Sequence, residues 1–276
     1  MCITFIYRNP KADGNAYRII LAFNRDEALN RPTASAHWWK NYPECLGGID
    51  LESGKEGGTW LAFCRGGRCG ALLNLTGEKR SSKTPGKGRG HLVSDYIISN
   101  VSADEYLTKL HEENHIEQAY NPYNLILINL WNADVSVLCS AQDSSGLQKC
   151  SDDILGLGNS AIDQPFTKVR NGKKKFRNII RGMTTGEQDK MIKNLLEFLT
   201  WDEKHLPDPE LQRRAPNWYE DLSSIFVRVP NVEYGTRTHS ILLVDGLNNV
   251  TFVEKTLTLN NSWTCQTFKT KLQTVA

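Results

Sequence analysis

The stretch that constrains this chain most is Asn24-Arg25-Asp26-Glu27, four polar residues that cut off the apolar run at 19–23. A run rich in aliphatic and aromatic residues that stops on charge reads as a buried strand ending at a polar corner. A second run, 3–7, begins directly after Met1-Cys2. Between the two, residues 9–15 carry Pro10 and Gly14, which is turn chemistry. Segments 2–7 and 17–23 are therefore expected to pair as a hairpin. In an antiparallel hairpin the start of one strand meets the end of the other, which sets the Cys2 thiol beside the charged corner. A cation close to a thiol favours the nucleophilic thiolate. Removal of Met1 would also give Cys2 an α-amine titrating at roughly 7.7–8.0, a usable general base. Arg25 and Asp26 are adjacent, so on an extended strand they point to opposite faces. Both reach Cys2 only if the chain turns there.

Composition narrows the class. The 276 residues suffice for one large domain or two small ones, and neither a linker nor an internal repeat divides them, so a single domain over 1–276 is expected. Mean hydropathy is low at -0.45, but 7 Trp and 9% aromatics supply a core. A net charge of +2 does not mark a nucleic-acid binder. No stretch approaches 18 apolar residues, and no leader with a basic start and an apolar middle opens the chain, so neither a membrane span nor a secretory signal is expected. The 7 Cys are irregularly spaced, and Cys64 and Cys69 lack a matching second pair, so no structural zinc site is expected. Buried thiols in a reducing, cytoplasmic setting fit this usage.

Further along, residues 31–39, with His37-Trp38-Trp39, read as an irregular stretch forming a lid or wall, or simply a loop pinned to the core. Glycines crowd 47–58. Segments 59–64 and 69–75 read as strands around the Arg65-Gly66-Gly67-Arg68 turn, and 78–89 as a mobile loop. Helices are expected over 91–100 and, behind a Ser102/Glu105 capping box, to about 114. Strands at 125–130, 135–139 and 155–158 follow. Two more helices span about 166–180 and 187–201, and Pro207 and Pro209 then break the pattern. Strands at 225–229, 241–244, 250–254 and 264–268 close the chain. Strands, helix pair, strands, helix pair, strands fit one α+β domain: a four-layer αββα sandwich.

With Cys2, Asn24-Arg25-Asp26-Glu27, Glu56-Gly57-Gly58-Thr59-Trp60-Leu61 and Tyr234-Gly235-Thr236-Arg237-Thr238 in view, the sequence resembles the NRDE family, the transport and Golgi organisation 2 homologues. Gly88-Arg89-Gly90 and Leu206-Pro207-Asp208 also look like family landmarks. The resemblance spans essentially the whole chain. It implies an N-terminal-nucleophile hydrolase-like αββα fold and a role in haem trafficking from storage compartments or mitochondria, with lipid or acyl-CoA homeostasis as a further proposed role. Cysteine amidases share that fold, and by position their roles fall on Cys2 as nucleophile, Arg25, Asp26, Asn74 for the oxyanion, Asn159 and Arg237.

The residues leave several readings open. Cys2 serves as a nucleophile, as a soft iron ligand, or as a small apolar residue. Arg25, Asp26 and Glu27 line a pocket or form a structural ion-pair knot. Gly57-Gly58 cradles an anion or makes a turn. Lys168, Arg170, Lys173, Lys174, Lys175, Arg177 and Arg181 form a solvated face, or a contact for propionates, CoA phosphates or an anionic membrane between 168 and 181. Among the six His, His111 and His115 share a helical face but lack a zincin Glu. His239 follows the Tyr234 motif and is the candidate nearest a pocket, so Cys2, Arg25 and His239 are the expected haem contacts. The leading expectation is a cytoplasmic carrier that binds haem or an acyl-CoA-like anion. A Cys2-dependent amidohydrolase or thioesterase is the alternative, and a peripheral membrane adaptor the third reading.

Overall fold

The computed structural model describes residues 1–78, 87–117, 119–141, 146–258 and 260–274. The elements run β1 (Ile3–Arg8), β2 (Tyr17–Ala28), β3 (Thr33–Trp39), β4 (Tyr42–Asp50), β5 (Leu61–Cys64) and β6 (Arg68–Asn74). Then come α1 (His91–Ile98), α2 (Ala103–Glu117), β7 (Tyr123–Asn129), β8 (Asp134–Cys139), β9 (Leu147–Cys150) and β10 (Ile154–Leu157). The last part holds α3 (Thr167–Ile180), α4 (Gln188–Leu199), α5 (Pro209–Arg214), α6 (Tyr219–Leu222), β11 (Arg228–Val229), β12 (Tyr234–Asp245), β13 (Asn249–Leu257) and β14 (Trp263–Lys271).

The chain divides into two compact units, Met1–Asn30 with Asp152–Lys271, and Arg31–Ser151 with Leu272–Ala276. In the first unit the sheet order is β10-β1-β2-β12-β13-β14, with β11 pairing the start of β12. Helices α3 and α4 cover one face. Phe176 of α3 stacks on Phe5 of β1 at 5.9 Å, and Phe198 of α4 meets the same ring edge-on at 5.0 Å. Alternation along β1 and β2 puts Ile3, Phe5, Ile20 and Ala22 on this helix-covered face. In the second unit the strands from β3 to β9 form an antiparallel meander in sequence order, and α1 and α2 bury Leu92, Val93, Tyr96, Leu107 and Leu110 against it. The fold is thus α+β, two antiparallel sheets with a helix pair on each.

Several expectations are corrected here. Residues 31–39 are not irregular, because β3 pairs β4 through two register shifts, and those shifts break the alternation that marks a strand in sequence. β4 itself hides among glycines. β9, α5 and α6 were not foreseen either, being only four to six residues long. The expected strand at 225–229 shrinks to Arg228–Val229. The capping box holds in part: the Ser102 hydroxyl accepts from the Glu105 amide at 3.2 Å. Most of the expected 78–89 loop lies outside the described residues, as does the His115 side chain.

Candidate functional site

The site is built on the first sheet, where β1 and β2 meet. Their register pairs Ile3 with Asn24, and one further step sets Cys2 opposite Arg25. On the other side of β1, the ladder with β10 ends at the Thr4–Leu157 pair, and Asn159 follows in the bend after that strand. Across β2, Arg25 pairs with Thr238 of β12. Cys2 and Arg25 therefore lie side by side on the face opposite the helices, where cross-strand neighbours lie close enough to interact. Both are buried, as is Asn159.

β2 stays extended through Ala28, so the chain does not turn at the charged corner. Asp26 consequently sends its carboxyl to the helix-covered face, and only its main chain reaches Cys2. The Asp26 carbonyl accepts from the Met1 amine at 3.2 Å, from the Tyr234 hydroxyl at 3.0 Å and, weakly, from the Cys2 thiol at 4.0 Å. Its Oδ1 accepts from the Thr236 hydroxyl at 2.6 Å, and Thr236 Oγ1 in turn accepts from the Val227 amide. Oδ2 is buried without a hydrogen-bond partner among the described residues. Thr236 pairs with Asp26 and Thr238 with Arg25, so Arg237 is the extra residue of a bulge. Its Nη1 donates to the Ala28 carbonyl at 3.0 Å.

The sequence reading missed the role of Lys168. Grouped there with a solvated basic face, it is fully buried and donates to the Ser224 carbonyl at 3.1 Å. The signal was present. Lys168 precedes Gly172 by four residues and Phe176 by eight, and so lies on the buried stripe of α3. Asp208 fixes that helix start. Its Oδ2 accepts from the Thr167 amide at 2.6 Å and its Oδ1 from the Leu211 amide at 3.0 Å, so one buried carboxylate caps α3 and α5 together. The remaining basic residues Arg170, Lys174, Lys175, Arg177 and Arg181 are exposed. Lys173 pairs with Asp152 at 3.1 Å, and Lys175 lies 3.7 Å over the Trp201 ring.

Burial dominates the electrostatics. It pushes the Cys2 thiol up, with the positive Met1 amine pulling the other way and Arg25 contributing least. It pushes the Asp26 carboxyl up to about 6, against the Met1 amine and Lys168, and Lys168 down to about 8, against Asp26. The corner thus holds its thiol protonated and keeps an acid and a base titrating on either side of neutrality.

His239 is held inside the first unit. Its Nδ1 meets Asn24 Oδ1 at 2.6 Å, and its ring stacks on Trp263 at 4.8 Å. Asn24 also donates to the Leu199 and Ile225 carbonyls, tying β2 to the helix layer. Burial depresses the His239 imidazole to about 3, so it is neutral. Asn74 ends β6 in the second unit. Gly57 and Gly58 also belong there, and their amides close a local turn by donating to Asp50 and Lys55. A Cβ on Gly58 would come 3.0 Å from the Gly90 backbone, so these two glycines let two chain segments touch. No helix among the described residues is long and apolar enough to cross a membrane.

Residues 1–259 match the family model described as Transport and Golgi organisation 2. The chain is 38% identical over 269 residues to Transport and Golgi organization protein 2 of Drosophila melanogaster, covering 94% of this chain and 93% of that protein. It is 35% identical over 286 residues to the Homo sapiens homolog, covering 99% and 100%. Among solved structures, a mutant conjugated bile acid hydrolase from Clostridium perfringens aligns over 99% of this chain and 98% of its own, with a TM-score of 0.48 and 10% identity. The chain belongs to the transport and Golgi organisation 2 family.

Proposed function

We propose that this chain is a carrier of an amphipathic anion, haem first and long-chain acyl-CoA second, taken up at the Cys2 corner and handed on without obligate chemistry. Such a carrier would work in the cytoplasm beside mitochondria or haem-storing compartments. The observation that supports carriage over catalysis, with Met1 in place, is the burial that raises the Cys2 thiol, because a protonated thiol with no α-amine of its own to take the proton is a poor nucleophile. Iron, by contrast, displaces the proton from a thiol when it binds. Cys2 is the better iron ligand, since His239 already engages Asn24 and lies against Trp263. Arg25 and Arg237 supply cationic groups for propionates or phosphates. Titrating the purified chain with haem and following the Soret band tests this. Saturable binding, displaced by long-chain acyl-CoA and weakened about tenfold or more in Cys2→Ala, is expected. A linear, unsaturable response overturns the reading.

A second reading, a Cys2-dependent amidohydrolase or thioesterase, is favoured by the buried Cys2 beside Arg25 at the start of β1. It needs Met1 removed, which intact mass reports, and turnover of an acyl-CoA or N-acyl amino acid that Cys2→Ser abolishes. The exposed residues Arg170, Lys174, Lys175, Arg177 and Arg181 suit a peripheral contact with an anionic membrane at which ligand could be exchanged. Liposome co-sedimentation that survives reversal of these charges removes that contact.

A further inference from the structure

The second unit holds a pair of thiols that the Cys2 site does not use. Cys45 of β4 and Cys64 of β5 are Cα partners in the antiparallel ladder. One step along, the Arg65 amide donates to the Glu44 carbonyl at 2.9 Å, so positions 44 and 65 form the hydrogen-bonded pair and 45 and 64 the non-hydrogen-bonded one. Such pairs bring their Cα atoms to about 4.5 Å and lean their side chains together, within the span a disulfide bridges. Both side chains belong to the cluster under α1, with Leu92, Val93 and Tyr96. Cys69, on the next strand, pairs with Phe63 and so faces the other side of the sheet. Among the described residues Cys45, the ladder partner of Cys64, is therefore the thiol placed to bridge to it and Cys69 is not.

We propose that Cys45 and Cys64 form a redox-active dithiol that reduces small hydroperoxides and closes into a cross-strand disulfide. Cys64 is the attacking sulfur. It stands where β5 turns back, with the Cys45 thiol directed at its sulfur, opposed by burial, and with the Arg68 guanidinium and then the Arg68 and Gly66 amides adding to it. Together these lower the Cys64 thiol, while the same shared hydrogen bond and burial push Cys45 up. The turn is rigid. Gly67 adopts φ 95°, the Trp131 indole donates to the Gly66 carbonyl at 2.9 Å, and Arg68 Nε donates to the Ile97 carbonyl at 3.2 Å. Neighbouring residues 42–44 are exposed, which gives a small oxidant a route through local opening of β4.

The chemistry balances. The Cys64 thiolate attacks one peroxide oxygen and the O–O bond breaks, leaving a sulfenic acid on Cys64 while the departing oxygen takes up a proton as alcohol or water. The Cys45 sulfur then attacks the Cys64 sulfur, the S–O bond breaks, and the departing hydroxide takes the Cys45 proton as water. Two thiols are oxidised by two electrons and one hydroperoxide is reduced.

Oxidising the purified full chain with hydrogen peroxide, blocking remaining thiols and digesting with trypsin tests the proposal. Cleavage after Lys55 separates the two cysteines. The expected result is a chain about 2 Da lighter, with peptide 41–55 linked to peptide 56–65 and the link reversed by a dithiol reductant. Cys45→Ser, which keeps a hydroxyl donor facing Cys64 and has its fold checked by circular dichroism, is expected to leave Cys64 as a sulfenic acid that dimedone traps. The proposal fails if both cysteines remain alkylatable when exposed Cys265 is already oxidised, or if Cys64 links to any other cysteine.

Discussion

The two sheets have the same number of strands but are assembled in opposite ways. The second is a meander in which each strand pairs with the next in sequence, so its sites arise from short-range register, and Cys45 meets Cys64 across nineteen residues. The first draws β1 and β2, β10 and the strands from β12 to β14 from both ends of the chain. Its corner combines Cys2, Asp26, Lys168 and Thr236, and the bond from Thr236 to Asp26 spans 210 residues. A site of the first kind depends on a local hairpin. One of the second kind exists only once the whole unit has closed, so its buried charges are carried by the stability of that unit.

The largest expected effect is on those charges. Burial lowers Lys168 from 10.5 to about 8, so its contribution to stability is fully present above 10.5 and is lost as pH falls through about 8. Asp26 is the mirror case. Raised from 3.8 to about 6, its contribution is present below 3.8 and is lost as pH rises through about 6. Between about 6 and 8 both are charged and the cost of burying them is greatest. The stability difference between Lys168→Met and wild type should therefore shift by roughly 3 kcal/mol in the variant's favour between pH 10.5 and pH 7. Urea unfolding at several pH values measures it. A flat difference would mean that Lys168 is not a buried charge, and would erase the contrast between the units.

Next in size are the helix caps. Asp208→Ala removes two buried caps from the first unit and is expected to cost about 2–3 kcal/mol, read from the urea midpoint. Smallest is Ser102→Ala in the second unit. It loses one exposed cap on α2 for about 1 kcal/mol and should leave ligand binding at Cys2 unchanged. Equal costs for the two caps would show that burial and double use add nothing.

These particulars show how far the chain was legible. The hairpin of β1 and β2 and the turn at residues 65–68 followed from apolar runs bounded by turn residues, because those signals are local. The same reasoning flagged the conflict between neighbouring Arg25 and Asp26, and the extended strand resolved it by giving each a different face. β3 escaped because its register shifts scramble the alternation. Lys168 escaped because composition outweighed phase: six other cations on or beside α3 hid one that lies in its apolar stripe.

What the sequence determined by itself was therefore periodic or local: which runs become strands and helices, and that Cys2 starts a strand whose partner ends on charge. Tertiary structure alone decided which charges lie inside. A buried lysine or carboxylate is specified by partners that close over it from distant parts of the chain, here Ser224 and Thr236, and no local pattern records that closure.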